Sequence, residues 1–335
     1  MLLVSNGTSS ICSAYGIEDY GADKPYIFIG GFPRSGTTLM RVLLDVHPDI
    51  SCGPETHISP TVAAVGASIL RSKSMRYRLE AINLWPDTVF KAFRGFFIEI
   101  IEATTDSSKR SCTKDPYMLK SIDFLNRLFP RAKFILMIRD GRAVTASVMK
   151  RSVSIQHIDI NNPFDIFYKW ENSTTVMTSQ CELLGPLVCL PVRYEDLVLR
   201  PRETMLHLTK FLEITWTDAF LAHDKIINSS THLSPFELSN SQVIHPINLE
   251  AIYSWARPGT VLPQQFILKA RSPMLVKYRY FPNSLPPNYG PAEPEMLENL
   301  KKIQNDAAAM QEFSPFMKAR RNFSRLIEQF DKSKD

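Results

Sequence analysis

The stretch that decides the fold is Tyr26-Ile27-Phe28-Ile29-Gly30-Gly31-Phe32-Pro33-Arg34-Ser35-Gly36-Thr37-Thr38. Its apolar start predicts a buried strand, and the residues after it predict a helix from about Thr37 to Val46. The Gly-rich turn between them brings backbone N–H groups and a helix N-terminus to the same point. The stretch therefore predicts an anion-binding loop between a buried strand and a helix.

Short apolar runs alternate with longer helical patterns over residues 25–215, which predicts an α/β protein with a parallel sheet and crossover helices. Further strands are predicted at Lys133–Ile138, Leu187–Val192 and, at a length too short for periodicity to decide, Ser111–Thr113. Helices are predicted at Tyr117–Phe129, from Asp140 onward, and at Phe164–Leu184, Asp196–Leu212 and Pro294–Phe330. Residues 1–24 are predicted to be a poorly ordered segment before one domain over 25–330.

Composition excludes several classes of protein. The chain has 335 residues, 44% hydrophobic and 22% charged, which excludes a disordered chain, and its five Cys are too few for a disulfide-built scaffold. The net charge of +5 is too mild to indicate a nucleic-acid partner. No stretch approaches the ~20 apolar residues of a membrane helix, and the polar residues after Val4 argue against a secretory signal.

The loop lacks one residue of the nucleotide-binding pattern. Compared with G-x-x-x-x-G-K-[ST], both glycines are present at Gly31 and Gly36, but Thr37 stands where the lysine would be. That lysine reaches the β- and γ-phosphates of a nucleoside triphosphate. Its absence argues against an ATP or GTP hydrolase and favours a shorter anionic group, for which Arg34 offers a positive charge.

A second basic cluster follows the strand that ends at Ile138. Arg139 stands at the carboxyl end of that strand, where open α/β sheets bind ligands, and Ser147 and Arg151 share one face of the next helix. These three residues are candidates for a second phosphate site. The alternative is a capped helix with solvated arginines.

Cysteines and sequons give weak information about the compartment. Cys181 and Cys189 flank the turn signal Gly185-Pro186, which fits either a disulfide or two unrelated buried thiols. Asn-x-Ser/Thr sequons, which permit glycosylation in a secretory lumen, occur at Asn6, Asn172, Asn228 and Asn322.

Beyond these patterns, several motifs over residues 26–290 resemble the protein-tyrosine sulfotransferase family. Residues 30–41 resemble the 5′-phosphosulfate loop of sulfotransferases, and Ile138-Arg139-Asp140-Gly141-Arg142 through Ser147 resembles their 3′-phosphate motif. The supporting motifs are Cys52-Gly53-Pro54-Glu55-Thr56, Lys114-Asp115-Pro116, Tyr194-Glu195-Asp196-Leu197, Gln242-Val243-Ile244 and Pro286-Pro287-Asn288-Tyr289-Gly290. The resemblance implies a sulfotransferase fold, a P-loop NTPase-like parallel sheet flanked by helices.

The resemblance also implies the reaction and the donor. The family transfers a sulfuryl group from 3′-phosphoadenosine 5′-phosphosulfate to tyrosine hydroxyls of secretory-pathway proteins, and no metal is expected. The implied donor contacts are Arg34, Ser35, Gly36, Thr37 and Thr38 for the 5′-phosphosulfate, Arg139, Ser147 and Arg151 for the 3′-phosphate, and Tyr194, Ser239, Asn240, Gln242, Val243 and Asn248 for the rest of the pocket.

By the same resemblance, Glu55 is the catalytic base. A phenol of pKa ~10 loses its proton as it attacks sulfur, and a positioned carboxylate assists this step. Lys114 and Ser239 match residues that stabilise charge on the transferred group and its leaving phosphate.

The acceptor peptide is implied to contact the segment His57, Ile58, Ser59, Pro60 and Thr61. Here the chain departs from the family, because His57 and Thr61 stand where arginines usually meet an acidic peptide. Pro54 replaces a second Glu, and Ser254 replaces a lysine that contacts the donor. These departures predict weaker peptide and donor contacts unless neighbouring residues compensate.

The resemblance implies two disulfides, a compartment and an assembly. It pairs Cys52 with Cys112 and Cys181 with Cys189, so that Cys12 has no implied partner. It further implies a glycoprotein of the Golgi lumen or Golgi membrane and a homodimer that acts on acidic, tyrosine-containing segments. The family's amino-terminal membrane anchor is not visible in this chain.

Two alternatives follow from the departures. His57 and Thr61 leave open a sulfotransferase for a carbohydrate or small phenol, and Pro54 and Ser254 leave open a non-catalytic binding partner. Transfer to acidic tyrosine peptides separates the first alternative from the family activity, and binding without turnover identifies the second.

Overall fold

Five parallel strands form one sheet in the computed structural model of the protein, which describes residues 21–230, 237, 239–281 and 285–298. The strands are β1 (Ile27–Gly31), β2 (Ile50–Cys52), β3 (Arg110–Lys114), β4 (Lys133–Ile138) and β5 (Cys189–Arg193). Their order across the sheet is β2-β3-β1-β4-β5. All pairs are parallel, so the predicted α/β fold with a parallel sheet is confirmed.

The four strands predicted from apolar runs are present, and one further strand was not predicted. That strand, β2, has only three residues and pairs with β3 from Ile50 opposite Arg110 to Cys52 opposite Cys112. A run this short carries no detectable periodicity. Pairing with a neighbour, and not local sequence, therefore defines it.

Helices cover both faces of the sheet. In the described part of the chain they are α1 (Thr37–Asp45), α2 (Ser59–Arg71), α3 (Lys73–Glu80), α4 (Asp87–Glu102), α5 (Ile122–Leu128), α6 (Gly141–Arg151), α7 (Pro163–Leu184), α8 (Tyr194–Leu199), α9 (Pro201–Leu212), α10 (His223–Ser230), α11 (Asn240–Val243), α12 (Glu250–Tyr253), α13 (Gln264–Lys269) and α14 (Pro273–Lys277). Short 3₁₀ helices span Pro116–Ser121, Asp218–Leu221 and Ser254–Ala256.

Two predicted helices are wrong in detail. The predicted helix Asp196–Leu212 is two helices, α8 and α9, because Pro201 has no N–H group and keeps Arg200 out of the helical region, at φ −132° and ψ 61°. The predicted helix Tyr117–Phe129 begins as the 3₁₀ helix Pro116–Ser121 before it continues as α5.

The predictions at the two ends of the chain lie largely outside the described residues. Residues 294–298 are helical, and the rest of the predicted helix Pro294–Phe330 is beyond the described part. Most of the predicted N-terminal segment 1–24 is also outside it. The division into this segment and one domain over 25–330 stays a prediction.

The centre of the sheet is buried on both faces, as parallel sheets require. Every residue of β1 is buried, and five of the six residues of β4 are. Phe28 of β1 stacks on Phe134 of β4 with ring centroids 5.3 Å apart, and Phe129 contacts Phe28 at 5.6 Å. This packing fixes β1 and β4 side by side, so the loops that follow them emerge at the same edge.

Both implied disulfides are confirmed. Cys52 and Cys112 are opposite each other on β2 and β3, and their bond closes a sequence separation of 60 residues. Cys181 of α7 bonds to Cys189 of β5 over a separation of 8 residues. The first bond lies three residues before Glu55 and two before Lys114, so it ties together the segments that carry two predicted catalytic residues.

The two bonds are expected to stabilise the protein unequally. In the chain-entropy model a closed loop of 60 residues is worth about 4 kcal/mol and a loop of 8 residues about 2.5 kcal/mol. The double variant Cys52→Ser/Cys112→Ser should therefore lose more unfolding free energy in urea than Cys181→Ser/Cys189→Ser. A larger loss for the Cys181–Cys189 pair would contradict this ranking.

Candidate active site

Two loops meet at the carboxyl edge of the sheet, where β1 and β4 lie side by side. The chain leaves β1 toward β2 and β3 on one side and leaves β4 toward β5 on the other, so a crevice opens between the two loops. The loop after β1 is the predicted anion-binding loop. The loop after β4 carries Arg139 and enters α6, whose first turn is capped by the Asp140 side chain.

The loop after β1 has the geometry of an anion site. Gly36 precedes α1 with φ 94° and has no side chain that could cap the helix, so the N–H groups of the first turn are left to bind an anion. Thr37 and Thr38 open the helix and are buried. The Ser35 hydroxyl is buried and has no hydrogen-bond partner among the described residues. A buried hydroxyl in this position is available to donate to an anion held by the loop.

Three arginines gather beside this loop. Arg34 donates from Nε to Ser147 Oγ at 3.1 Å and from Nη1 to Ser239 Oγ at 2.7 Å. Burial, followed by repulsion from Arg151 and then Arg139, lowers the pKa of Arg34 to about 10. This concentration of positive charge is costly without an anion and suits a ligand that carries more than one phosphate-like group.

Arg139 is fixed by backbone oxygens and an aromatic ring. Its Nη1 donates to the Arg34 carbonyl at 2.9 Å and its Nη2 to the Ala251 carbonyl at 2.8 Å. The guanidinium lies over the Tyr194 ring, 4.5 Å from the centroid. The Nε atom is buried without a partner among the described residues. The alternative of solvated arginines on a capped helix is therefore wrong for Arg139, which is 7% exposed.

A small cavity of about 50 Å³ lies between the two loops. Most of the residues predicted to bind the donor line it, namely Arg34, Gly36, Thr38, Arg139, Tyr194, Ser239, Gln242, Val243 and Asn248. Ser147 and Arg151 are not in the cavity wall. Ser147 accepts a hydrogen bond from the Arg34 guanidinium, and the positive charge of Arg151 repels that guanidinium. Asn240 begins α11, and its side chain is outside the described part.

A larger cavity of about 840 Å³ continues from the same loop. Arg34, Gly36, Thr38 and Ser239 line both cavities, so the two are neighbours across the phosphate loop. The larger one extends past Glu55 to Tyr117 and Lys120, and to Lys169 on α7. Its size is that of a site for a substantial ligand.

The predicted acceptor segment divides between this cavity and the protein interior. His57, Pro60 and Thr61 line the cavity. Ser59 does not, because its side chain is buried and its Oγ lies within hydrogen-bond distance of Thr56 Oγ1, at 2.7 Å. Ile58 is 48% exposed and is not in the cavity wall either. Because α2 begins at Ser59, successive side chains after Ile58 point in directions about 100° apart around the helix, so one segment cannot present all five to one ligand.

Glu55, in the wall of the large cavity, is in direct contact with Lys114. Lys114 Nζ pairs with Glu55 Oε1 and donates to Thr38 Oγ1 at 3.2 Å, while Glu55 Oε2 lies 3.5 Å from His57 Nε2. The Lys114 side chain has no exposed surface, and that of Glu55 is 14% exposed. The carboxylate therefore faces the large cavity, and the ammonium group faces the phosphate loop.

Asp115 fixes the backbone that follows Glu55. Its carboxylate accepts from Thr56 Oγ1 at 2.7 Å and from the His57 amide at 3.0 Å, and His57 is held at φ 58°. Burial raises the pKa of Asp115 to about 6, against the hydrogen bonds from Thr56 and His57. The sequence signal was the Lys114-Asp115-Pro116 motif, but the role of Asp115 in it was not predicted.

Two further buried residues of the site were not predicted. Glu237 lies 3.4 Å from Lys114 Nζ through Oε2, and the same oxygen lies 3.4 Å from Arg41 Nη2. Arg41 is on α1 among residues that are all buried. An arginine among the apolar residues of a helix requires a buried acid. Arg41 was therefore the feature of the sequence from which a buried acid could have been predicted. The sequence did not show which acid it was.

Neither a membrane-spanning helix nor a metal-ligand cluster is found in the described residues. None of their helices is both long enough and apolar enough to cross a bilayer. No group of three or more His, Cys, Asp or Glu side chains is arranged to hold a metal ion within those same residues.

Comparison with known proteins identifies the family. A model of the sulfotransferase family matches residues 25–218. Protein-tyrosine sulfotransferase 1 of Danio rerio is 42% identical over 288 residues, covering 85% of this chain and 80% of that protein. The chain belongs to the protein-tyrosine sulfotransferase family. The protein of the same name from Homo sapiens is 40% identical over 298 residues, covering 88% of this chain and 80% of the human protein.

Among solved structures, this sulfotransferase is similar to the sulfotransferase domain from the Synechococcus PCC 7002 olefin synthase. The identity is 23%, the TM-score is 0.49, and the match covers 73% of this chain and 94% of that domain.

Gly36 offers a direct test of the phosphate loop. A Cβ at Gly36 would lie 2.2 Å from the Tyr194 ring, in a backbone conformation that L side chains rarely adopt. Strain and displacement of Tyr194 should weaken binding of 3′-phosphoadenosine 5′-phosphate by more than about tenfold in Gly36→Ala, measured by calorimetry.

The matched control is Gly185→Ala. Gly185 also has a positive φ, of 80°, but a Cβ there meets no atom within 4 Å. This variant should lose some stability and keep the affinity of the parent protein. Equal affinities of Gly36→Ala and the parent would exclude the loop as the binding site.

Proposed function

We propose that this protein transfers the sulfuryl group of 3′-phosphoadenosine 5′-phosphosulfate to tyrosine hydroxyls of proteins, with Glu55 as the base. The relatives that carry this activity in their names support the reaction class. The observation that carries the assignment of the base is the Glu55 carboxylate, which contacts Lys114 at the point where the large cavity meets the phosphate loop.

The residues of the phosphate loop fit the donor. The Ser35 hydroxyl, which has no partner in the described part of the chain, and the uncapped start of α1 offer donors to the 5′-phosphosulfate. Arg139, Ser147 and Arg151 offer a second positive site, beside Arg34, for the 3′-phosphate. Thr37 in place of the P-loop lysine agrees with a donor that has no γ-phosphate.

Donor binding requires a rearrangement of the small cavity. Ligand sites usually have volumes of roughly 300 Å³ or more, and this cavity has about 50 Å³. Its walls are held together by the bonds from Arg139 to the Ala251 carbonyl and from Arg34 to Ser239. We expect phosphate oxygens to replace these acceptors, which lets the segment around Ala251 move outward while Ser239 turns to the phosphate.

The reaction moves one proton and one sulfuryl group. The acceptor oxygen forms a bond to sulfur, the bond from sulfur to the bridging oxygen of the 5′-phosphate breaks, and the phenolic proton passes to Glu55. Negative charge then grows on the leaving phosphate, where Lys114, Arg34 and Ser239 supply compensating donors. The Lys114 ammonium already faces Thr38 of the phosphate loop, which suits this role.

A protein acceptor fits the large cavity. Its volume of about 840 Å³ and its wall on α2 and α7 leave room for an extended segment around the target tyrosine. Lys120 and Lys169 line it, so positive charge is present even though His57 and Thr61 replace the arginines of the family pattern. An acidic segment around the tyrosine is therefore the acceptor that the site favours.

The family resemblance also implies a compartment, an assembly and a modification, which we propose for this protein. Two disulfides agree with an oxidising compartment such as the Golgi lumen. A homodimer agrees with the exposed apolar side chains near α2 to α4, which are Ile58, Val65, Met75, Tyr77, Ile82 and Leu84. Asn172 is exposed on α7, as a glycosylated residue must be.

The test uses an acidic tyrosine peptide and labelled donor. The protein should make tyrosine sulfate, detected by mass spectrometry, and the matched peptide with Phe in place of Tyr should stay unlabelled. Glu55→Gln should lower kcat by about 10²-fold or more, because the amide cannot accept the proton. It should bind 3′-phosphoadenosine 5′-phosphate like the parent.

Each alternative gives a different result in the same assay. Label on a glycan or small phenol, with none on peptides, would show another acceptor class. Donor binding without transfer to any acceptor would show a non-catalytic partner. Undiminished turnover in Glu55→Gln would exclude Glu55 as the base without contradicting sulfuryl transfer to tyrosine.

A further inference from the structure

Glu237 is a buried carboxylate that contacts both members of the proposed catalytic pair. Its Oε1 accepts from the Glu55 backbone amide at 2.9 Å. Its Oε2 lies 3.4 Å from Lys114 Nζ and 3.4 Å from Arg41 Nη2. The side chain is 1% exposed, so these contacts are made without competing water.

The charges around Glu237 keep it ionised. Burial alone would raise the pKa of its carboxyl, but the ammonium of Lys114 and then the guanidinium of Arg41 outweigh burial and hold the pKa below its ordinary value. Lys114 thus lies between two carboxylates. Within the described part of the chain, the acids within 4.0 Å of its Nζ are Glu55 and Glu237.

This arrangement addresses a conflict in the proposed mechanism. Glu55 Oε1 contacts Lys114, yet the base must turn to the acceptor hydroxyl and take its proton. A buried lysine that loses its only carboxylate partner becomes an uncompensated charge, which is costly. With Glu237 present, Lys114 keeps a counter-charge while Glu55 leaves.

We propose that Glu237 is a positioning residue, which holds Lys114 at the phosphate loop and fixes the Glu55 backbone while the Glu55 carboxylate turns to the acceptor. The inference rests on the proposed function of Glu55 and Lys114. It differs from a purely structural role, in which Glu237 only neutralises the buried Arg41. The two roles predict different kinetics.

The variant that separates the positioning role from the purely structural role is Glu237→Gln. Gln keeps an oxygen that can accept the Glu55 amide and removes the negative charge. Glu55 should then pair more tightly with Lys114, and we expect kcat to fall by about 10- to 100-fold, with KM for peptide and donor within about twofold of the parent. A purely structural role lowers the unfolding temperature and leaves kcat of the folded protein unchanged.

The pH profile of kcat gives an independent readout. Glu237→Gln removes one negative charge beside the proposed base, so the acidic limb of the profile should move to lower pH. Among the described residues, the charged groups that face Glu55 and remain in the variant are Lys114, His57, Asp115 and Arg34. Since they are common to parent and variant, the displacement reports the charge of Glu237.

Two further variants complete the test. Glu237→Asp retains the charge on a shorter side chain, so its kcat should lie between those of the parent and Glu237→Gln, with the acidic limb near that of the parent. Glu102→Gln is the matched control, because Glu102 also pairs with a lysine, Lys24, and accepts from Tyr26 at 3.0 Å, but lies outside the site. It should keep the parent kcat and pH profile.

The outcomes are decisive in each case. A parent-like kcat and acidic limb in Glu237→Gln would overturn the inference, and if that variant does not fold, a parent-like kcat in Glu237→Asp would do so. The proposed function fails separately, when the parent protein makes no tyrosine sulfate or when Glu55→Gln remains fully active. Loss of kcat in Glu237→Gln with a displaced limb supports the inference.

Discussion

A lysine with no exposed surface determines the arrangement of the site. Lys114 is enclosed by the phosphate loop on one side and by the carboxylates of Glu55 and Glu237 on the other. A buried ammonium group is tolerated only when it is paired and hydrogen-bonded, so its three partners are required together. Because those partners come from the first turn of α1, the segment after β2 and a residue far along the chain, the charge of one side chain links three parts of the fold.

The sheet supplies the precision that this charge cluster needs. β3, which ends with Lys114, lies between β1 and β2, so the loops after all three strands emerge at one edge. The bond between Cys52 and Cys112 crosses the β2–β3 pair just before Glu55 and Lys114. Asp115 then fixes the chain after Glu55 through Thr56 and the His57 amide. The reacting groups are thus mounted on rigid elements, which favours electrostatic preorganisation.

Sequence patterns predicted the features that depend on local residues. The apolar runs of β1 and β4 and the glycines of the phosphate loop were sufficient to predict the central strands and the turn from β1 into α1. Contacts between distant residues were beyond such patterns. The Glu237 to Glu55 hydrogen bond spans 182 positions, and β2 exists only through pairing with β3. The break between α8 and α9 was predictable from local sequence, because the residue before a proline avoids the helical region. Pro201 therefore ends α8 before Arg200, and the prediction of one continuous helix was wrong there.

In the proposed reaction, Glu55 exchanges Lys114 for the acceptor hydroxyl while Glu237 retains the lysine. A crystal structure of the protein with 3′-phosphoadenosine 5′-phosphate and an acidic tyrosine peptide would show this exchange. We expect the tyrosine oxygen within hydrogen-bond distance of Glu55, with Lys114 Nζ between Glu237 and the 5′-phosphate. A tyrosine hydroxyl bound away from Glu55, or Lys114 separated from Glu237 in that complex, would contradict it.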